Sequence, residues 1–149
     1  MNIINPANVS GIYGGLIGTD QNASETTTAT QNVNVVLVKA TTATALNGVT
    51  MPAAQDLVVP IAGNYLFTGA AQIGVVGSTV RGLNLFAYVD GVEDVLLCQA
   101  GVSNAGMNMG FGTILTLAAG EKVEIWVENF SSSDNITCRT LTSNIIRIS

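Results

Sequence analysis

Residues 112 to 130 read GTILTLAAGEKVEIWVENF, and apolar and polar side chains alternate on both sides of Ala-Ala-Gly-Glu. A period of two around a tight-turn composition predicts two short strands joined as a hairpin. In the second arm Val123, Ile125 and Val127 share one face and Glu124, Trp126 and Glu128 the other, because successive strand residues project to opposite sides. The first set makes a core stripe. The second places the chain's single tryptophan between two carboxylates, on a face that one chain alone would show to water, and so points to a partner surface.

The same alternation recurs from Asn32 onward in short runs divided by turn residues, the spacing of an all-β sandwich or barrel. Val33 to Val38 comes first, then a Thr- and Ala-rich link with an Asn47-Gly48 turn. Asp56 to Ile61 leads through Gly63 into a run in which Tyr65 and Phe67 share a face. Leu83, Leu85, Ala87 and Val89 alternate with Asn84, Phe86 and Tyr88. Asp90-Gly91 signals a turn, Val95 to Cys98 returns, and residues 101 to 110 read as a loop or loose strand. Ile136 to Thr140 and Asn144 to Ile148 close the chain as two strands. Nothing of helical length remains, so an antiparallel two-sheet jelly roll is the economical architecture, with a closed barrel as the other solution. Residues 1 to 31 differ: Gly, Asn, Thr and Ser predominate, with apolar islands at Ile3, Ile4, Ile12, Tyr13, Leu16 and Ile17. They read as an extended N-terminal arm preceding a 32–149 jelly-roll domain, either laid along a sheet edge elsewhere or a leader that packs nowhere.

Composition sharpens the surface problem. Charged residues are 10% of the 149, against about 25% in an ordinary soluble domain, while 48% are hydrophobic. The surface is therefore either dressed with Thr, Asn, Ser and Gly or hidden in an assembly. Phe86, Tyr88 and Trp126 fall opposite the core stripes, where interface aromatics are enriched, unless a bulge shifts the register by one. They are the expected interface with a partner. A net charge of −5 with five scattered basic residues excludes a nucleic-acid surface, and no apolar run reaches the eighteen residues of a membrane span. With no positively charged N-terminal stretch before Lys39, synthesis in a host cytoplasm is expected, with Cys98 and Cys138 as free thiols rather than a disulfide.

Candidate chemistry is sparse. The chain has no histidine, which removes the commonest general base and metal ligand, and no enzyme, cofactor or metal is expected. Asp90, Glu93 and Asp94 form DGVED, a carboxylate group that could bind calcium but lacks the alternating spacing of an EF-hand loop and reads first as a solvated hairpin turn. Glu124 and Glu128 stand roughly 13 Å apart along a strand, beyond glycosidase geometry.

Two patterns carry a family resemblance: Val59-Pro60-Ile61-Ala62-Gly63-Asn64-Tyr65-Leu66-Phe67, and later Leu117-Ala118-Ala119-Gly120-Glu121-Lys122-Val123. Together with the Asp90-Gly91 turn and the closing strand they resemble the C1q and tumour-necrosis-factor-like jelly rolls, over residues 32 to 149. The resemblance implies a compact homotrimer in which sheet faces meet around a threefold axis. A secretion signal and a collagen stalk, common in animal members, are absent, and Thr142-Ser143-Asn144-Ile145 replaces the usual closing signature. A glycine-rich arm on such a roll also resembles phage virion proteins. That likeness implies a trimeric head decoration or cement protein, docked through its arm on the major capsid protein and located on the capsid surface. The alternative is a fibre-tip module recognising a receptor or glycan through loops 101–110 and 131–135.

Overall fold

The computed structural model describes residues 11–18 and 25–149. Among them are eleven strands and no helix: β1 (Tyr13–Gly18), β2 (Glu25–Thr27), β3 (Asn34–Val36), β4 (Thr42–Asn47), β5 (Leu57–Val58), β6 (Gly63–Val75), β7 (Arg81–Val89), β8 (Val92–Val102), β9 (Met107–Leu117), β10 (Lys122–Asn129) and β11 (Ile136–Arg147). They form two antiparallel sheets. Sheet A runs β4-β1-β11-β6-β9, with β2 also on β11; sheet B runs β3-β10-β7-β8, with β5 also on β10.

The core lies between the sheets and is made by the expected stripes. Tyr65, Phe67 and Leu115 from sheet A meet Leu83, Leu85, Val123, Ile125 and Val127 from sheet B, all essentially inaccessible. Burial of such side chains is the main stabilising term, about 1.5–3 kcal/mol for each large aliphatic. The Tyr65 hydroxyl escapes the penalty of burial by donating to the Ile61 carbonyl at 2.7 Å.

Three expectations change. The run from 112 to 130 is not a hairpin: β9 pairs with β6 in sheet A and β10 with β7 in sheet B, so Ala118 to Glu121 arches from one sheet to the other. Gly120, at φ 88°, makes the turn, and its N–H donates to the Val59 carbonyl at 2.8 Å rather than to a hairpin partner. The last two strands are one, β11, with a register shift between Cys138 and Thr140. Its TLTS stretch is a continuous strand in which Leu141 and Ser143 are buried while Thr142 and Asn144 face outward. Finally, of residues 1–31 the described part, 11–18 and 25–31, contributes strands to the roll, and the rest lies outside the described residues. β1 lies between β4 and β11, and Leu16 is 2% exposed, so this strand belongs to sheet A. Asp90-Gly91, by contrast, is the hairpin expected: φ values of 49° and 78° give the twist of a two-residue turn between β7 and β8.

Candidate functional site: two outer sheet faces

Each sheet turns one face inward and one outward, and the register aligns the outward residues in rows. On sheet A, Tyr13 stands beside Ile146, Ile146 beside Leu66 and Leu66 beside Ile114, one apolar row across four strands. All four are exposed, from 37% for Leu66 to 61% for Ile114. The next rows are Gly15, Asn144, Thr68 and Gly112, then Ile17, Thr142, Ala70 and Gly110. None of these residues is charged. Their small side chains also leave the face shallow, with a dimple of about 130 Å³ between Tyr13, Thr44 and Asn144. A Cβ on Gly15 would stand 2.5 Å from Asn144 Oδ1 and 2.7 Å from Thr44 Oγ1, so only glycine keeps that dimple open.

Sheet B presents the opposite character. Its apolar row is Val36, Trp126, Phe86 and Leu96. Carboxylates bracket it: Glu124, Tyr88 and Glu93 form the row on one side, and Asn34, Glu128, Asn84 and Gln99 the row on the other. Tyr88 stacks on Trp126 with ring centroids 4.1 Å apart and planes 7° from parallel. Asn34 Nδ2 donates to the Tyr88 hydroxyl and to Glu93 Oε2, both at 2.7 Å, and Asn84 Nδ2 donates to Glu128 Oε2 at 2.8 Å. Lys122 reaches Glu124 at 3.1 Å and Asp56 at 3.9 Å. Burial pushes the Asp56 carboxyl up; Lys122 pulls it back, and neighbouring Glu124 raises it further.

The three aromatics singled out from the sequence, Phe86, Tyr88 and Trp126, are thus brought together on one outer face. They offer less to a sister copy than the alternation suggests. Phe86 and Tyr88 are already buried within the single chain, and two copies of this face meeting about a twofold axis would set carboxylates against carboxylates. Of the apolar islands near the N-terminus, Tyr13 and Ile17 lie on the outer face of sheet A, Leu16 is core and Ile12 packs on the core. Ile3 and Ile4 lie outside the described residues. The apolar row on sheet A was missed because its four members come from distant strands. Only the register joins them.

The other candidates resolve as follows. Asp90, Glu93 and Asp94 do not converge: Asp90 Oδ1 accepts from the Lys122 N–H at 2.9 Å, while Glu93 turns toward Asn34 and Tyr88. Among the described residues no group of three His, Cys, Asp or Glu side chains is placed to hold a metal. Both cysteines are free; burial lifts the Cys98 thiol above its ordinary range and pushes Cys138 up to about 12. Loop 131–135 spends its polar groups internally. Ser132 Oγ accepts from Asn129 Nδ2, Ser133 Oγ from the Gln31 N–H, and Asp134 pairs with Arg81, which holds its carboxyl below the usual range. The expected loop at 101–110 shrinks to Ser103–Gly106, tied down by the Arg139 guanidinium on the Asn104 and Ala105 carbonyls.

No family model and no curated sequence matches this chain. Solved structures do match in fold. Murine APRIL superposes with a TM-score of 0.60 at 9% identity, covering 93% of this chain and all of its own. The globular domain of a zebrafish complement 1qA protein gives 0.60 at 16% identity, over 94% of this chain and 98% of that one. Eiger TNF from S. frugiperda gives 0.57 at 12% identity, over 93% of each. At such identities the likeness establishes the fold: an all-β, two-sheet jelly roll of the C1q/TNF type.

Proposed function

We propose that this chain is a structural assembly protein. Copies join through the outer face of sheet A into a homotrimer, and the trimer decorates and stabilises a virion by docking on its major capsid protein. The self-association rests on one observation, the exposed row Tyr13–Ile146–Leu66–Ile114 with two uncharged rows beside it. Covering such a row removes apolar area from water and leaves no ion to desolvate. Three copies are what the resemblance to C1q/TNF-like rolls implies. The virion setting is supported by the likeness of a glycine-rich leader on a jelly roll to head decoration proteins. There a trimer acts through avidity, each contact raising the effective concentration of the next, and stabilises the assembled shell by mass action.

Light scattering on the purified chain is the test. The expected mass is three times 15.3 kDa, and Ile114→Glu, at a position 61% exposed, should release monomers with an unchanged circular dichroism spectrum. A monomeric or dimeric parent chain, or a variant that stays trimeric, defeats the self-association reading. Electron microscopy of the parent particle tests the rest: knobs spread over the head are expected, and knobs confined to a tail fibre would count against decoration.

A further inference from the structure

The outer face of sheet B is unsuited to a second copy of itself, and its chemistry says what would suit it. Glu93, Glu124 and Glu128 surround the row of Val36, Trp126, Phe86 and Leu96. The cation that reaches them, Lys122, is held by Glu124 and Asp56, so the face keeps a negative excess. Its side-chain amides are spent within the chain: the Asn34 amide on Tyr88 and Glu93, the Asn84 amide on Glu128. Carboxylate oxygens are what it has left to offer. Two buried polar atoms here lack partners in the single chain: Asn84 Oδ1, an acceptor, and Trp126 Nε1, a donor. An occupant must therefore be cationic and donor-rich, with a flat apolar surface for the half-buried indole and for Leu96, which is 49% exposed.

We propose that the outer face of sheet B is a docking surface for an arginine-bearing segment of a different protein. A guanidinium meets the demands of charge and stacking together: it carries five donors, forks onto carboxylates and stacks on an aromatic ring, where an ammonium supplies only a hydrated point charge, and the acceptor for the indole N–H is left to a backbone carbonyl of the segment. Val36 and Leu96, at the two ends of the row, flank the segment with apolar contacts. The docking chemistry stands independently of self-association through sheet A, since monomer and trimer both present this face. It rests on the assembly reading only in making the partner a capsid protein.

Trp126 is the chain's single tryptophan and reports the event directly. The full chain is titrated with a glycine-spaced peptide carrying four arginines, with lysine and glutamate versions of the same peptide, and with calcium chloride. A saturable change in indole emission with the arginine peptide is expected, weaker with lysine and absent with glutamate. In Glu93→Gln/Glu128→Gln, which keeps one acceptor oxygen at each position and removes two charges, affinity should fall about tenfold or more. Glu25→Gln/Glu121→Gln removes the same charge away from this face and should leave affinity within about twofold. The proposal is overturned by no saturable response, by an equal loss in both double variants, by equal binding of the glutamate peptide, or by a calcium response that the arginine peptide does not displace. Because mass and emission are read separately, a monomeric chain that still binds the arginine peptide refutes the trimer and leaves this face intact.

Discussion

Asp56 shows how one side chain ties stability to pH. Its carboxyl lies beside Glu124 and partly out of water, and these influences outweigh the pull of Lys122, so its folded pKa is raised above the ordinary 3.8. A raised carboxylate favours the fold while protonated, so its contribution is fully present below pH 3.8 and is lost as pH rises through the folded value. Asp56→Asn stays neutral throughout. Its melting temperature should exceed that of the parent at pH 7, with the difference closing as the pH drops toward 3.8. Calorimetry across that range checks it, and a variant less stable than the parent at pH 7 would show that the Lys122 attraction dominates. Burial in the apolar interior moves the Cys138 thiol in the same upward direction. The sequence shows two isolated cysteines without a CxxC spacing; only packing shows that Cys138 is sealed while Cys98 is half-open.

At the scale of elements, the arch between β9 and β10 is where local pattern and tertiary pairing part. A strand with one apolar stripe can lie beside its neighbour in one sheet or across the core from it in the other, and both arrangements bury the stripe. Alternation identifies which residues face inward and is silent on which strand they pair with. The core stripe of β10 can be tested apart from its outer side. Ile125→Ala, at a position 2% exposed, should cost about 2–5 kcal/mol in denaturant unfolding. Asn108→Ala, exposed on the outer face of β9, should stay within about 0.5 kcal/mol. Equal costs would mean that the inward and outward faces have been assigned wrongly.

For the molecule as a whole, β1 decides how far the N-terminus can be removed. A chain without residues 1–10 keeps every described strand, and its cooperative melting transition should be retained, while its occupancy on capsids should fall if the leader docks there. Removing residues 1–18 strips out the strand between β4 and β11 together with Leu16, leaves two strand edges unpaired, and should abolish the cooperative transition. Thermal melts of the two truncated chains decide this; a cooperative melt without residues 1–18 would make β1 an appendage after all. The all-β class, the inward stripes, the Asp90-Gly91 turn and the aromatic group on β7 and β10 follow from the sequence alone, because strand periodicity and turn chemistry act over a few residues. The membership of β1 in sheet A, the arch between sheets, the uncharged row on one outer face and the carboxylate-ringed row on the other follow only from the tertiary structure. Each depends on which distant strands share a ladder, and that choice is made by the burial of the whole core.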